Sequence, residues 1–103
     1  MHYLLLYDVG PDYMARRAQF RDEHLRLAWA AAERNELVLG GALGDPLEGA
    51  ALLFRSESPQ VAQEFARHDP YVVNGLVQRW RVVPWLTVVG PDAATPVKPA
   101  NHR

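Results

Sequence analysis

Two side chains in this sequence have the types that acid/base chemistry needs, His24 and Asp69. A histidine titrates near neutrality and can take or give a proton. A carboxylate can fix the tautomer and charge of a histidine, as in acid/base dyads. Asp69 lies in the run His68-Asp69-Pro70-Tyr71-Val72-Val73-Asn74-Gly75-Leu76. An Asp before Pro is equally a helix cap and turn initiator. One oxygen can cap while the other faces a pocket, so the two roles are compatible. His68 adjoins Asp69, but sequence neighbours on a helix or turn point apart. It reads as a helix-end cation. Tyr71 offers a hydroxyl to a pocket or simply packs. Arg81 offers a cation to an anionic substrate or ends a solvated strand. Gly41 supplies backbone geometry and a close approach to a ligand. Tyr71, Arg81 and Gly41 are therefore the substrate-contact candidates beside the pair.

Other chemistries find no support in the motifs. There is no HExxH or HxH pattern and no carboxylate-rich loop, so no metal is expected. The glycines match neither a P-loop nor a dinucleotide fingerprint, and no cofactor is expected. No serine sits in a nucleophile-elbow context. The absence of cysteine removes thiolate chemistry and disulfides. A net charge of -1 gives no footprint for nucleic acid or anionic lipid. No run approaches the ~20 apolar residues of a membrane span. The chain enters a strand pattern at once, without a signal peptide, so a soluble cytoplasmic protein is expected.

The elements that must position the pair follow from periodicity. Residues 2–9 read as a strand with Tyr3, Leu5 and Tyr7 on one face and Leu4 and Leu6 on the other. Gly10-Pro11-Asp12 opens a helix over about 12–34. On it Phe20, His24, Leu27, Ala28 and Ala31 make one stripe, so His24 faces the sheet. Asn35 can end this helix in a left-handed conformation. Strands are expected over 36–43, with a bulge or close approach at Gly40-Gly41, and over 50–55. Ser58-Pro59 starts a second helix with Val61, Ala62 and Phe65 inward, ending near His68. Asp69-Pro70 caps a short helical turn that Gly75 stops. A last strand is expected over 77–90, on a sheet edge or bulged because of Pro84. Residues 91–103, with three prolines, read as a disordered tail to a single domain at 1–90.

The order β-α-β-β-α-β is the ferredoxin-like arrangement, an α+β fold with two helices on one face of a four-stranded antiparallel sheet. The first and last strands are apolar on both faces. Helices cover only one side, so the other calls for a second copy, sheet against sheet. A homodimer is the expected assembly.

These residues resemble a known family. The Tyr-rich first strand, Arg21-x-x-His24, Gly40-Gly41 and Asp69-Pro70-Tyr71…Gly75-Leu76 ahead of a Trp/Arg-containing strand resemble the YciI-like (YCII-related) proteins over about residues 1–90. The resemblance implies a dimeric α+β barrel and a His–Asp active-site pair at His24 and Asp69. It also implies small cyclic or aromatic substrates, since one relative eliminates chloride from a chlorinated hydroxyquinol.

Two functions follow. The first is a small enzyme doing acid/base chemistry by elimination, isomerisation or cofactor-free oxygenation, with His24 moving the proton. The second is a non-catalytic ligand-binding or accessory domain with His24 and Asp69 structural. Haem ligation by His24 or His68 is a further alternative. The dyad requires both side chains in one pocket between the first helix and the sheet.

Overall fold

The computed structural model describes residues 1–100. The chain runs β1 (His2–Val9), α1 (Tyr13–Glu33), β2 (Leu37–Leu43), β3 (Gly49–Arg55), α2 (Gln60–His68), α3 (Pro70–Val73) and β4 (Val77–Trp85). The sheet order is β2-β3-β1-β4 and every pairing is antiparallel. This is the α+β, ferredoxin-like arrangement that the element order predicts, with α3 as one extra turn.

Alternation in β1 sets which face carries the core. Tyr3, Leu5 and Tyr7 are buried under the helices, opposite Phe54, Leu52 and Ala50 of β3. The helices answer with Ala31 from α1 and with Ala62, Phe65 and Ala66 from α2. Leu5 and Phe54 are fully buried at the centre. Burying a side chain of this size stabilises the fold by about 1.5–3 kcal/mol. The alternate residues Leu4, Leu6, Ala51, Leu53 and Val83 lie on the open face and are only partly buried.

The helix signals act as their chemistry suggests. Asn35 adopts φ 62°, and its N–H bonds to the Ala32 carbonyl, closing α1. Ser58 Oγ accepts the Gln60 N–H at 3.3 Å, the capping contact of α2. Gly75, at φ 79°, stops α3. Pro84 is tolerated because β4 is an edge strand, with β1 as its only neighbour among the described residues.

Two expectations shift. β4 ends at Trp85, not near residue 90, because its last pair is with His2 and β1 has no further residues to offer. The register shift in β2 falls between Leu37 and Leu39, ahead of the glycines. The glycine that close approach demands is instead Gly49, where an added Cβ would collide with the Tyr7 carbonyl oxygen. Beyond β4 the chain turns back on itself. Thr95 and Val97 donate backbone bonds to Thr87 and Val88, and Thr87 Oγ1 lies 2.6 Å from His2 Nδ1. The end of the expected tail, 101–103, lies outside the described residues. No helix among the described residues is long and apolar enough to cross a membrane.

Candidate active site

α3 is four residues long, yet it fixes the position of the most buried charged group. Pro70 presets the first helical position and forces Asp69 into an extended conformation, φ -67° and ψ 122°. The Asp69 side chain then caps the turn, with Oδ1 accepting the Tyr71 N–H at 3.0 Å. The same geometry turns the carboxylate into the fold, where its solvent exposure is 0%.

A buried carboxylate must find donors. Asp69 has three. Tyr7 Oη donates to Oδ2 at 2.7 Å from β1. His24 Nδ1 lies 2.9 Å from Oδ1, reaching down from α1. The third is the Tyr71 N–H of the cap. Since the carboxylate accepts, the network assigns a hydrogen to His24 Nδ1, so that in the neutral form of the ring Nε2 is the lone-pair nitrogen. The ring is held on its face as well. It stacks on Tyr71 with centroids 4.1 Å apart and planes 14° from parallel, and Phe65 meets it edge-on. His24 is thus oriented in two directions while its side chain keeps 16% exposure.

That exposure opens into a cavity of about 400 Å³ between α1 and β2. Tyr13, Arg17, Arg21, His24 and Trp29 form the helical wall. Backbone at Gly40 and Gly41 forms the strand wall, with Tyr7 and Tyr71 at the inner end. Burial and the neighbouring Asp69 push the Tyr7 hydroxyl far above its ordinary pKa. Burial also raises Tyr13 and Tyr71, with Arg17 and Arg21 opposing the rise in both. All three phenols are therefore neutral hydroxyls near pH 7.

The sequence candidates divide cleanly. His24, Asp69 and Tyr71 meet in one hydrogen-bonded and stacked cluster, and Gly41 lines the same cavity. Arg81 does not join them. It pairs with Leu6 across β1 and β4, and Leu6 alternates with the inward Leu5 and Tyr7, so Arg81 stands on the open face. The strand's two-residue period carries it away from the helices. His68 is exposed, with Nδ1 on the Glu64 carbonyl. Tyr7, Tyr13 and Arg17 escaped sequence reasoning as site residues, and Arg21 entered it only within the Arg21-x-x-His24 motif. A signal existed for the last two: Arg17, Arg21, His24 and Ala28 recur at helical spacing on one face of α1.

A family model, the YCII-related domain, matches residues 1–86. The chain belongs to the YCII-related family. A YCII-related chain of this length places its matched region over every strand and helix described above, ending just past β4. Its fold is similar to that of 5-chloro-2-hydroxyhydroquinone dehydrochlorinase (TftG) from Burkholderia phenoliruptrix AC1100, solved in complex with 2,5-dihydroxybenzoquinone. The two share 21% identity with a TM-score of 0.69, over 84% of this chain and 95% of that one. No curated protein matches this YCII-related sequence.

Proposed function

We propose that this YCII-related chain is a small enzyme that moves protons on a cyclic or aromatic molecule, with His24 as general acid/base and Asp69 as its orienting carboxylate. The observation that carries the reading is the 2.9 Å contact between His24 Nδ1 and the fully buried Asp69, on the wall of a cavity. Nε2 takes a proton from a substrate carbon or hydroxyl, and the electron pair moves onto a ring-borne oxygen. The pair then returns to expel a leaving group, to be reprotonated by Nε2–H at another carbon, or to meet dioxygen. These are the elimination, isomerisation and oxygenation outcomes. Fold similarity to a dehydrochlorinase supports elimination as the first to assay.

The assay is chloride release from 5-chloro-2-hydroxyhydroquinone, followed by a panel of related quinols. General acid/base groups contribute about 10²–10⁴-fold. His24→Gln is expected to lose at least about 100-fold in kcat with its melting temperature nearly unchanged. Undiminished turnover in that variant would remove His24 from the chemistry. The alternative, a ligand-binding domain, draws on the capping bond to Tyr71 N–H, which gives Asp69 a structural task regardless of catalysis. It predicts that no member of the panel is turned over and that His24→Gln binds ligand as the unmodified chain does.

We also infer a homodimer formed through the open sheet face. Leu4, Leu6, Ala51, Leu53 and Val83 lie there without a covering helix, beside the exposed Leu39 and Trp85. Contiguous apolar surface of this kind marks an interface.

A further inference from the structure

The acid/base reading occupies only one part of the cavity. The cavity runs along α1, and His24 divides its helical wall. Toward the start of the helix the lining carries Tyr13, Arg17 and Arg21. Beyond His24 it carries Leu25, Ala28, Trp29 and Ala32, with Leu37 and Val38 on the strand side at the start of β2. No described side chain in this second part is charged. Ala32 stands two turns past His24, about 12 Å along the helix axis.

Two observations set this part apart from ordinary helix surface. The first is size. A dry cavity of about 150 Å³ is enough for one benzene ring. This one is about 400 Å³, so a single ring against His24 leaves much of it unfilled. Ala28 and Ala32 are part of the reason, since as alanines they leave room between α1 and β2 that larger side chains would fill. The second is exposure. Trp29 is 67% exposed and Leu25 is 36% exposed, and they stand four residues apart on one side of α1. A lone exposed apolar residue calls for no explanation, but apolar side chains grouped on the lining of a cavity mark a binding surface.

We propose that Leu25, Ala28, Trp29, Ala32 and Leu37 form an apolar subsite that holds an aryl or alkyl substituent of the substrate while the reacting ring lies at His24. The subsite deepens the acid/base reading and rests on it for the place of that ring. The substrate class is then a substituted ring, biaryl or alkylated, and not a lone ring. Trp29 sets the specificity, because an indole offers a large, rigid apolar face at low entropy cost. The substituent does no chemistry. Each of its methylenes removed from water strengthens binding about fourfold, before the cost of ordering it. The occupant is part of the substrate because this lining is continuous with the His24 wall. The surface suited to a second copy lies on the opposite side of the sheet.

Calorimetric titration of the full chain with 2,5-dihydroxybenzoquinone and its 3-phenyl and 3-butyl derivatives tests this. At least one derivative is expected to bind about tenfold or more tighter than the unsubstituted quinone. Trp29→Gln should abolish that gain and bind the unsubstituted quinone as before, with an unchanged melting temperature because the side chain is exposed. Ala32→Leu, which fills the far end of the slot, should abolish the gain in the same way. Equal affinity for the three compounds, no binding of any of them, or a gain that survives Trp29→Gln would each overturn the subsite. Light scattering gives a further check. A fall in the mass of Trp29→Gln relative to the unmodified chain would assign the side chain to a subunit contact and likewise overturn it. His24→Gln separates the two ideas. A Trp29-dependent gain, with turnover that survives His24→Gln, sinks the acid/base reading and leaves the subsite standing. Turnover that needs His24, with no gain from either substituent, does the reverse.

Discussion

Asp69 carries two tasks on one side chain, and this decides how its variants must be read. Oδ1 caps α3 and meets His24, while Oδ2 accepts from Tyr7. In Asp69→Asn one oxygen becomes a donor, so a buried donor faces either the Tyr7 hydroxyl or the cap N–H. An unsatisfied buried pair costs about 1–3 kcal/mol. Asp69→Asn is therefore expected to lower denaturant stability by that amount whether or not the protein is an enzyme, and only His24 variants report cleanly on chemistry. Tyr7 gives a pH signature. Its folded-state pKa is raised by burial, by the charge of Asp69 and by the bond to it, above an ordinary value of 10.0. A raised folded pKa means that the folded state holds its proton where the unfolded chain has released it. The stability is fully present below pH 10 and is lost as the pH climbs above it. Unfolding free energy measured from pH 8 to 11 should fall, and Tyr7→Phe should flatten that fall. The His24–Asp69 pair was legible because a helical stripe and an Asp-Pro cap are local patterns. Tyr7 was not, because alternation says that its ring points inward but not that its hydroxyl meets a residue 62 positions away. Arg17 was passed over, and Arg21 drew notice only within its motif with His24, because charged residues on a helix are usually solvated.

At the scale of elements, the glycines show what a pattern can and cannot reveal. Gly40-Gly41 drew attention as a pair, yet a Cβ on Gly41 would meet nothing within 4 Å, and one on Gly40 would meet Leu52 Cγ at an ordinary 3.4 Å. Neither has the positive φ that excludes other residues. Gly49, one residue ahead of the strand expected over 50–55, is where β3 passes against the Tyr7 carbonyl. Strand pairing brings those backbones together, and pairing partners are not written in local sequence. Gly41→Ala should be neutral or stabilising by up to about 1 kcal/mol, through reduced unfolded-state entropy. Gly49→Ala should cost about 1–3 kcal/mol, because β1 and β3 must separate to admit a methyl group. Urea unfolding of the two variants side by side decides the matter, and equal stabilities would refute the distinction. Gly40 bears on function, since its Cβ would lie on the cavity side with Leu52. Gly40→Val should fold normally in an edge strand yet narrow the slot between β2 and α1. Its expected signature is a loss of ligand affinity about tenfold or greater with an unchanged melting temperature.

For the whole molecule, surface area makes the case for a partner. A compact monomer of 11.6 kDa is expected to expose about 5,800 Å², and this chain exposes 7031 Å². Its Cα radius of gyration is 15.2 Å, against about 13 Å for a compact chain of this length. The returning segment at 87–97 adds to both values, but the open sheet face is exposed whatever that segment does. That face is central to the fold: Leu4 and Leu6 of β1 sit between Leu53 and Ala51 on one side and Val83 and Arg81 on the other. A standard interface buries about 800 Å² per partner, an area that a four-stranded face can supply. Two such faces packed together would cover the aliphatic residues and leave Arg81 near the rim or opposite a polar group of the second copy. Light scattering at micromolar concentration should give twice the 11.6 kDa chain mass. Leu53→Glu places a charge in the middle of the face while its neighbour Leu52 still packs inward under the helices, so the core and the His24 cavity stay intact. That variant should scatter as a monomer with reduced thermal stability, since the fold then loses the burial that its second copy supplied. A monomeric unmodified chain would refute the dimer outright. A Leu53→Glu dimer would move the interface to another surface.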